Sequence, residues 1–388
     1  MKAFLRLAAV TALAVASASA FAQNYTQVNL TANTAGAAPV TDPALVNPRG
    51  LSRGAATPWW TSNTGAGNDT LYNGAGTKVP LTVTIAPAKP GGTPPAIGTP
   101  SGTIFNGNPA DFLLAPGAHA LFIFSTLDGA IAGWNPAVNP NAVTKFKATD
   151  GSSYTGLTSA SLDGQTVLYA ANFSKGRVDV FDSNFNPVTL GKVRHDDIFN
   201  PGSDHAFTDA FLPRDFAPFN VQAIGNDIVV TYALLERHQT EPTAGPGLGF
   251  VDIYSSTGEL LNRIEHSDWL NAPWGVALAP TDFSAFSHDL LIAQNGNGGS
   301  TDGAGTISAY DLATGKFVGV VENSTNQPLV IPGLWAIALG NGASADSYDA
   351  SAAAGAELYF TAGPNNGQDG LLGYLTPVAA QLTQGNNQ

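Results

Sequence analysis

Short apolar runs, each bounded by Gly, Pro, Asn or Asp, make up most of the chain. Four successive runs at residues 271–280, 289–295, 305–311 and 316–321 show the pattern most clearly. They are rich in β-branched and aromatic residues and too short for average helices, so they predict four antiparallel strands. A lone four-stranded sheet leaves both faces and both edges exposed, so we expect copies of the block to pack against one another.

The opening strand of this block recurs along the chain. Runs equivalent to residues 274–277 occur at 49–52, 101–104, 155–158, 219–222 and 335–338. Alignment of Gly50, Gly102, Gly156, Asn220, Gly275 and Ala336 gives steps of 52, 54, 64, 55 and 61 residues. Six units of four strands predict an all-β fold, the six-bladed β-propeller.

The last unit supplies only three strands before the chain becomes rich in Gln and Asn. Residues 24–30 alternate between polar and apolar and precede the first opener. We therefore expect this segment to pair as the outermost strand of the last blade, which closes the ring and removes a free edge.

The N-terminus has the features of a secretory signal peptide. Lys2 and Arg6 precede an apolar stretch at residues 7–16, and Ala20-Phe21-Ala22 forms an A-x-A cleavage motif. We expect cleavage after Ala22 and a mature protein without a membrane span, in the periplasm or outside the cell. Residues 1–22 would be the signal peptide, 23–378 a single propeller domain and 379–388 a disordered polar tail.

Composition limits the chemistry that is available. The chain carries a net charge of -13, and we find no cluster of Lys and Arg, which argues against a nucleic-acid partner. The count of Cys is 0, which excludes disulfides, thiolate nucleophiles and Cys-ligated metal sites.

Several segments together resemble an uncharacterised family of exported bacterial NHL-like propeller proteins. The segments are residues 47–51, 70–73, 128–135, 168–173, 217–222, 271–280 and 358–364. The resemblance implies a six-bladed propeller, secretion and no established activity. Some family members carry a C-terminal PEP-CTERM sorting tail, which residues 383–388 do not match. A second departure is Arg49, which stands where the first opener should carry Trp.

Polar residues that close the second strands are expected to converge on one face of the ring. Their amide oxygens could hold a cation, and their paired donors and acceptors could bind a sugar. Asn is also common at strand ends because it tolerates turn geometry, so that interpretation stays open. The candidate ligand-binding residues are Asn63, Asp128, Asn172, Gln294, Asn295 and Asn365.

A His- and Asp-rich insertion precedes the fourth opener. With one residue from the following blade, it supplies candidate ligands for a divalent cation such as calcium or zinc. A solvated acidic loop is the simpler alternative. The candidate metal ligands are His195, His205, Asp209 and His238.

Three classes of function follow from these patterns. A binding module would use the channel face to capture a small molecule, a glycan or an envelope protein. A metal-dependent hydrolase would resemble the gluconolactonase-type propellers, although no Glu opens a first strand here. An extracellular assembly or matrix protein would act through exposed aromatic residues, for which Trp59, Trp60 and Trp269 are candidates, although such residues more often pack between blades.

Overall fold

The structure of the protein is a computed structural model. It describes residues 24–91, 96–191, 205–237, 241–281, 283–296, 304–340 and 357–378. The expected signal peptide and polar tail lie outside the described residues, as do His195 and His238.

Six antiparallel sheets follow one another along the chain, as the repeat predicts. Two strands, β1 (Tyr25–Ala32) and β2 (Val40–Thr41), precede the first sheet. Blade 1 contains β3 (Pro48–Ser52), β4 (Trp59–Asn63), β5 (Asn68–Tyr72) and β6 (Lys78–Thr84). Blade 2 contains β7 (Pro100–Phe105), β10 (Phe122–Thr126), β11 (Ala130–Trp134) and β12 (Val143–Lys147), with a hairpin of β8 (Leu113–Ala115) and β9 (Ala118–His119) between its first two strands. Blade 3 contains β13 (Tyr154–Leu162), β14 (Gln165–Asn172), β15 (Arg177–Phe181) and β16 (Pro187–Val188).

The remaining blades follow the same order. Blade 4 contains β17 (Phe216–Ile224), β18 (Asp227–Leu234), β19 (Gly249–Tyr254) and β20 (Leu260–Arg263). Blade 5 contains β21 (Pro273–Leu278), β22 (Leu290–Gln294), β23 (Ile307–Tyr310) and β24 (Phe317–Val320). Blade 6 contains β25 (Leu334–Leu339), β26 (Leu358–Ala362) and β27 (Leu371–Pro377). Short helical turns lie at Phe173–Lys175, Ser284–Phe286 and Pro364–Gly367.

The first strand of every blade lies at the axis of the ring. Each of these inner strands, β3, β7, β13, β17, β21 and β25, contacts the inner strand of the next blade, and β25 contacts β3. The contact between the last inner strand and the first closes a circle. The prediction of a six-bladed propeller is therefore confirmed.

The leading segment closes the ring by joining the last blade. Strand β1 pairs antiparallel with β27, from Tyr25 opposite Pro377 to Ala32 opposite Leu371. The predicted closure is confirmed with one difference, because the two-residue strand β2 pairs parallel with β1 on its outer side. The buried Tyr25 side chain also donates a hydrogen bond of 2.8 Å to the Phe283 carbonyl, which fastens β1 to blade 5.

Aromatic stacks fill the space between blades. Trp60 of blade 1 stacks on Phe122 of blade 2 at a ring separation of 4.0 Å, and Trp59 packs against Tyr359 of blade 6 at 4.6 Å. Both Trp side chains are buried. Of the two alternatives for these residues, packing between blades holds for Trp59 and Trp60, because it removes the large apolar surface of their rings from water.

Glycine is required where the inner strands approach one another. A Cβ atom at Gly102 would lie 2.6 Å from the backbone nitrogen of Leu157 in the next blade and 2.8 Å from the Ser125 hydroxyl. A Cβ at Gly50 would lie 2.6 Å from the Ser101 carbonyl oxygen. At these two positions the neighbouring inner strands approach each other too closely for a side chain, which explains Gly there, whereas blades 4 and 6 carry Asn220 and Ala336 at the equivalent position.

We expect Gly102→Ala to lower the free energy of unfolding by about 2 kcal/mol or more, because the added methyl group meets backbone that cannot move aside. Urea denaturation measures the change. The matched control in the same blade is Gly107→Ala, whose Cβ would meet only the Phe105 ring, at 3.3 Å. Equal effects of the two substitutions would contradict close packing at the axis.

Blade 4 contains a buried carboxyl group. Asp252 on β19 accepts a hydrogen bond of 3.2 Å from the Tyr254 hydroxyl, which in turn pairs with the Tyr232 hydroxyl at 2.8 Å. Burial, and to a smaller extent the nearby Asp209 carboxylate, raise the pKa of Asp252 to about 7 against the opposing effects of the Tyr254 hydrogen bond and the charge of Arg263. The folded protein therefore favours the neutral form of Asp252.

This raised pKa predicts a pH-dependent stability. The stability that neutral Asp252 contributes to the fold is fully present below about pH 4, the pKa of Asp in the unfolded chain. It is lost as the pH rises through about 7, the pKa in the folded protein. Between pH 4 and pH 8, the free energy of unfolding of the wild type should fall by more than about 1.4 kcal/mol relative to that of Asp252→Asn, which cannot ionise. Chemical denaturation of both proteins at several pH values measures the difference. A difference that does not change with pH would contradict the shift.

Candidate functional site

The second strands end on the face of the ring where the first strands begin, which we term the channel face. In every blade, a residue at the start of the inner strand pairs with the end of the second strand. The pairs are Pro48 with Asn63, Pro100 with Thr126, Tyr154 with Asn172, Phe216 with Leu234, Pro273 with Gln294, and Leu334 with Ala362. The predicted site residues thus lie at or next to strand ends on one face.

Three of the predicted site residues form hydrogen bonds through their amide groups to nearby residues of the protein. Asn63, Asn172 and Gln294 are buried, and each amide both donates and accepts hydrogen bonds inside the protein. Ligand binding by these residues stays a prediction, and it would require them to exchange these bonds. Asn63 bonds to Thr61, Asn68 and Thr70, Asn172 to Ser152, Ser153 and Asp179, and Gln294 to Asn271 and Ile292.

The other three residues are separated from one another. Asp128 accepts hydrogen bonds from the Ala88 backbone at 2.6 Å and the Thr126 hydroxyl at 2.5 Å, so it links blades 1 and 2. Asn365 is exposed in the turn after β26, with a left-handed φ of 54°. Asn295 follows β22 and donates to the Leu334 carbonyl at 3.1 Å. Of the six predicted residues, Asn295 lines the cavity described below.

The candidate metal ligands divide between described and undescribed residues. His205 is exposed, and the Asp209 carboxylate accepts two hydrogen bonds of 2.7 Å from the Arg263 guanidinium. Within the part of the chain that the structure describes, no group of three or more His, Asp or Glu side chains is arranged to hold a metal. Metal binding by the set that includes His195 and His238 stays a prediction.

A bulge interrupts the inner strand of every blade at the same place. Because a bulge adds a residue to one strand of a pair, it redirects the side chain at that position, and bulges are frequent next to functional sites. All six side chains at this position are buried. We term them the bulge ring: Arg49, Ser101, Thr155, Phe219, Trp274 and Trp335.

Aromatic members of the bulge ring fill the axis at the channel face. Trp274 and Trp335 pack edge to face at 86° with ring centroids 5.9 Å apart, and Phe219 packs against Trp335 from two blades away at 6.0 Å. The Trp274 indole donates to the Thr155 carbonyl at 3.1 Å. Below these rings the axis holds a cavity of about 30 Å³, room for about two water molecules.

Arg49 is the charged member of the bulge ring. Its guanidinium carbon lies 4.2 Å from the centre of the Trp335 ring, a cation–π geometry. Its side chain is only 6% exposed, while that of its ion-pair partner Glu241 is 58% exposed. Nη2 lies 3.4 Å from Glu241 Oε2, and the buried Nε has no hydrogen-bond partner. Burial lowers the pKa of Arg49 and the charge of Glu241 opposes the shift, but a guanidinium stays protonated.

A cavity of about 440 Å³ opens over this guanidinium. Its volume falls within the range of about 300 to 1,000 Å³ that is usual for small-molecule sites. Blades 1, 4, 5 and 6 all contribute to its wall, and the Trp335 indole is held there by a hydrogen bond of 2.9 Å to Asn47 Oδ1. The polar and aromatic wall residues are Asn47, Arg49, Glu241, Asn295, Trp335 and Asn366.

The sequence predicts polar residues on the channel face, where this cavity lies, but it does not single out Arg49. Arg49 drew attention only as a departure from an expected Trp, and the structure shows it in the bulge position that Trp274 and Trp335 occupy in other blades. The available signal was a lone Arg at a position where three of the other blades carry Phe219, Trp274 and Trp335. Glu241 is 192 residues from Arg49, and nothing in the sequence connects the two.

Fold and site together define a β-propeller protein with a ligand-sized cavity at its channel face. No family model matches the chain. Three uncharacterised proteins of Acanthamoeba polyphaga mimivirus are similar in sequence. Protein R648 is 26% identical over 353 residues, covering 89% of this chain and 78% of R648. Proteins R640 and L690 are 28% and 29% identical over 61% and 64% of this chain. The chain spans 41% of R640 and 59% of L690.

These relatives are viral, so they support neither a bacterial origin nor a sorting tail. Among solved structures, virginiamycin B lyase from Staphylococcus aureus has a TM-score of 0.43 at 11% identity, covering 92% of this chain and 99% of that chain. BBS1N, in its complex with ARL6DN, has a TM-score of 0.40 at 12% identity, covering 85% of this chain and 94% of that chain. Similarity of this degree carries no argument about function.

Within the described ranges, the structure contains no helix with the length and apolar character that a membrane span requires.

We expect Arg49→Met to raise the free energy of unfolding by about 1 kcal/mol or more. The substitution keeps an unbranched side chain against Trp335 and removes a buried charge with few partners, and such replacements are often stabilising. Arg49→Lys, which keeps a charge but loses the planar stack, is the control and should be less stable than the wild type. Urea denaturation distinguishes the three proteins, and a clear loss of stability in Arg49→Met would show that Arg49 serves the fold.

Proposed function

We propose that this protein is a binding module whose channel face captures a small anionic ligand at Arg49. The observation that carries the proposal is the buried guanidinium of Arg49 in the wall of a cavity of about 440 Å³. A buried cation is expensive unless an anion and further hydrogen bonds compensate it. Glu241 supplies only a long contact from a half-exposed position. An anionic ligand would supply the missing compensation.

The wall of the cavity favours binding over catalysis. Among the described residues that line it, the titratable side chains are Arg49 and Glu241, and they pair with each other. Hydrolysis would need a group that activates water or a nucleophile, and neither member of this pair has a second base or acid beside it in the wall. Arg, Asn and Trp side chains are well suited to recognising an anion and holding it against a flat surface.

The place where binding occurs is part of the proposal. The features of residues 1–22 support export, so that the ligand would be met in the periplasm or outside the cell. A small anionic molecule would bind directly in the cavity. A glycan would satisfy it through an acidic sugar, and an envelope protein through a carboxylate on an exposed segment, so both alternatives reduce to the same contact with Arg49.

A thermal-shift and calorimetric titration tests the proposal. The probes are sodium acetate, D-glucuronate, inorganic phosphate and sulfate, with D-glucose as the neutral control, all at constant ionic strength because salt screens charge pairs. We expect at least one anion, and not D-glucose, to raise the melting temperature of the wild type, since a ligand stabilises the state that binds it. Arg49→Met should stay folded and lose the response. Equal anion binding by both proteins, or no response to any anion, would overturn the proposal.

A further inference from the structure

We infer that the ligand is a monocarboxylate with hydroxyl groups, such as a sugar acid, and that its carboxylate takes the place of Glu241 on Arg49. This inference rests on the proposed function, and it names both the chemical class of the ligand and an internal competitor for the same guanidinium.

Glu241 engages Arg49 poorly for a carboxylate. Both of its oxygens approach the same nitrogen, with Nη2–Oε1 at 3.5 Å and Nη2–Oε2 at 3.4 Å. A charge-assisted pair usually lies at about 2.7 to 2.9 Å and spans two guanidinium nitrogens. The chain thus presents its own carboxylate to Arg49 without forming the paired, parallel contact. A free carboxylate, which no loop restrains, can approach Arg49 in the paired, parallel geometry that Glu241 does not reach.

The charges at the site favour a ligand with a single negative charge. The site offers one buried cation beside an acidic side chain, in a protein whose net charge is -13. Phosphate or sulfate would bring excess negative charge into a pocket walled by Trp335, where uncompensated charge is costly. A monocarboxylate neutralises Arg49 once, and its planar group matches the planar guanidinium.

Displacement of Glu241 carries a small penalty. Its side chain is 58% exposed in the ion pair, so it returns to water readily, whereas Arg49 is 6% exposed and stays in place. Exposed ion pairs contribute only about 0.2 to 1 kcal/mol. The guanidinium is therefore the fixed half of the site, and the carboxylate is the half that exchanges.

Two amides in the wall indicate hydroxyl groups on the ligand. Asn47 uses its Oδ1 to accept the Trp335 indole N–H, and Asn295 uses its Nδ2 to donate to the Leu334 carbonyl. These bonds fix the orientation of both amides. Both residues line the cavity, and these bonds leave Asn47 Nδ2 as a donor and Asn295 Oδ1 as an acceptor for other partners. A hydroxyl group both donates and accepts, so it can satisfy either amide.

Isothermal titration of the full protein with D-glucuronate, acetate, D-glucose and inorganic phosphate tests the inference. We expect D-glucuronate to bind more tightly than acetate or phosphate, and D-glucose not to bind. Glu241→Gln should tighten D-glucuronate binding by about two- to fivefold, because it removes a competing ion pair of that strength. Glu259→Gln, which makes the same charge change at an exposed position in the same blade, should leave the affinity unchanged.

Three results would overturn the inference. Tighter, Arg49-dependent binding of phosphate would leave the proposed function standing and reject the monocarboxylate. Weaker D-glucuronate binding by Glu241→Gln would show that Glu241 contacts the ligand and does not compete with it. Failure of every anion to bind would reject both the inference and the proposed function.

Discussion

Backbone contact between neighbouring inner strands is the constraint on which the rest of the structure depends. Where Gly102 faces Leu157 there is no room for a Cβ atom, so the inner strands of blades 2 and 3 meet through main-chain atoms. At the axis the described residues leave a cavity of about 30 Å³, and the cavity of about 440 Å³ that contains Arg49 lies at the mouth of the channel. The six bulges then determine which side chains reach that mouth, because each one takes a residue out of the regular ladder.

The bulge ring divides into a packing half and a polar half. Phe219, Trp274 and Trp335 cover the axis with aromatic surface, and Arg49 places a guanidinium against that surface. An all-aromatic ring would form a better core, since it would bury no charge. Under the proposed function, the fold tolerates this charge for the sake of recognition, in keeping with the general conflict between local stability and functional sites.

Much of the fold could be predicted from the sequence, and little of the site. The sequence pattern around Gly102 recurs at regular intervals and predicts a repeated inner strand. Such a pattern is local, so it can be recognised from the sequence alone. Asn172 could not be interpreted from its type, because whether an amide at a strand end faces a ligand or bonds to Ser152 and Asp179 depends on tertiary contacts. The burial of Trp60 likewise depends on a tertiary contact, since its neighbour Phe122 comes from another blade. The pairing of Arg49 with Glu241 joins opposite parts of the ring and has no local signature.

The antiparallel pairing of β1 with β27 has a mechanical consequence. Tyr25 lies opposite Pro377, so the segments that flank the ring on either side leave it from the same end of the same strand pair. Tension applied through both segments would peel β1 from β27 one hydrogen-bonded pair at a time, instead of loading all the pairs in shear. Attachment through both ends would therefore make blade 6 the first part to yield under load, whereas attachment through one end would leave the seam unloaded.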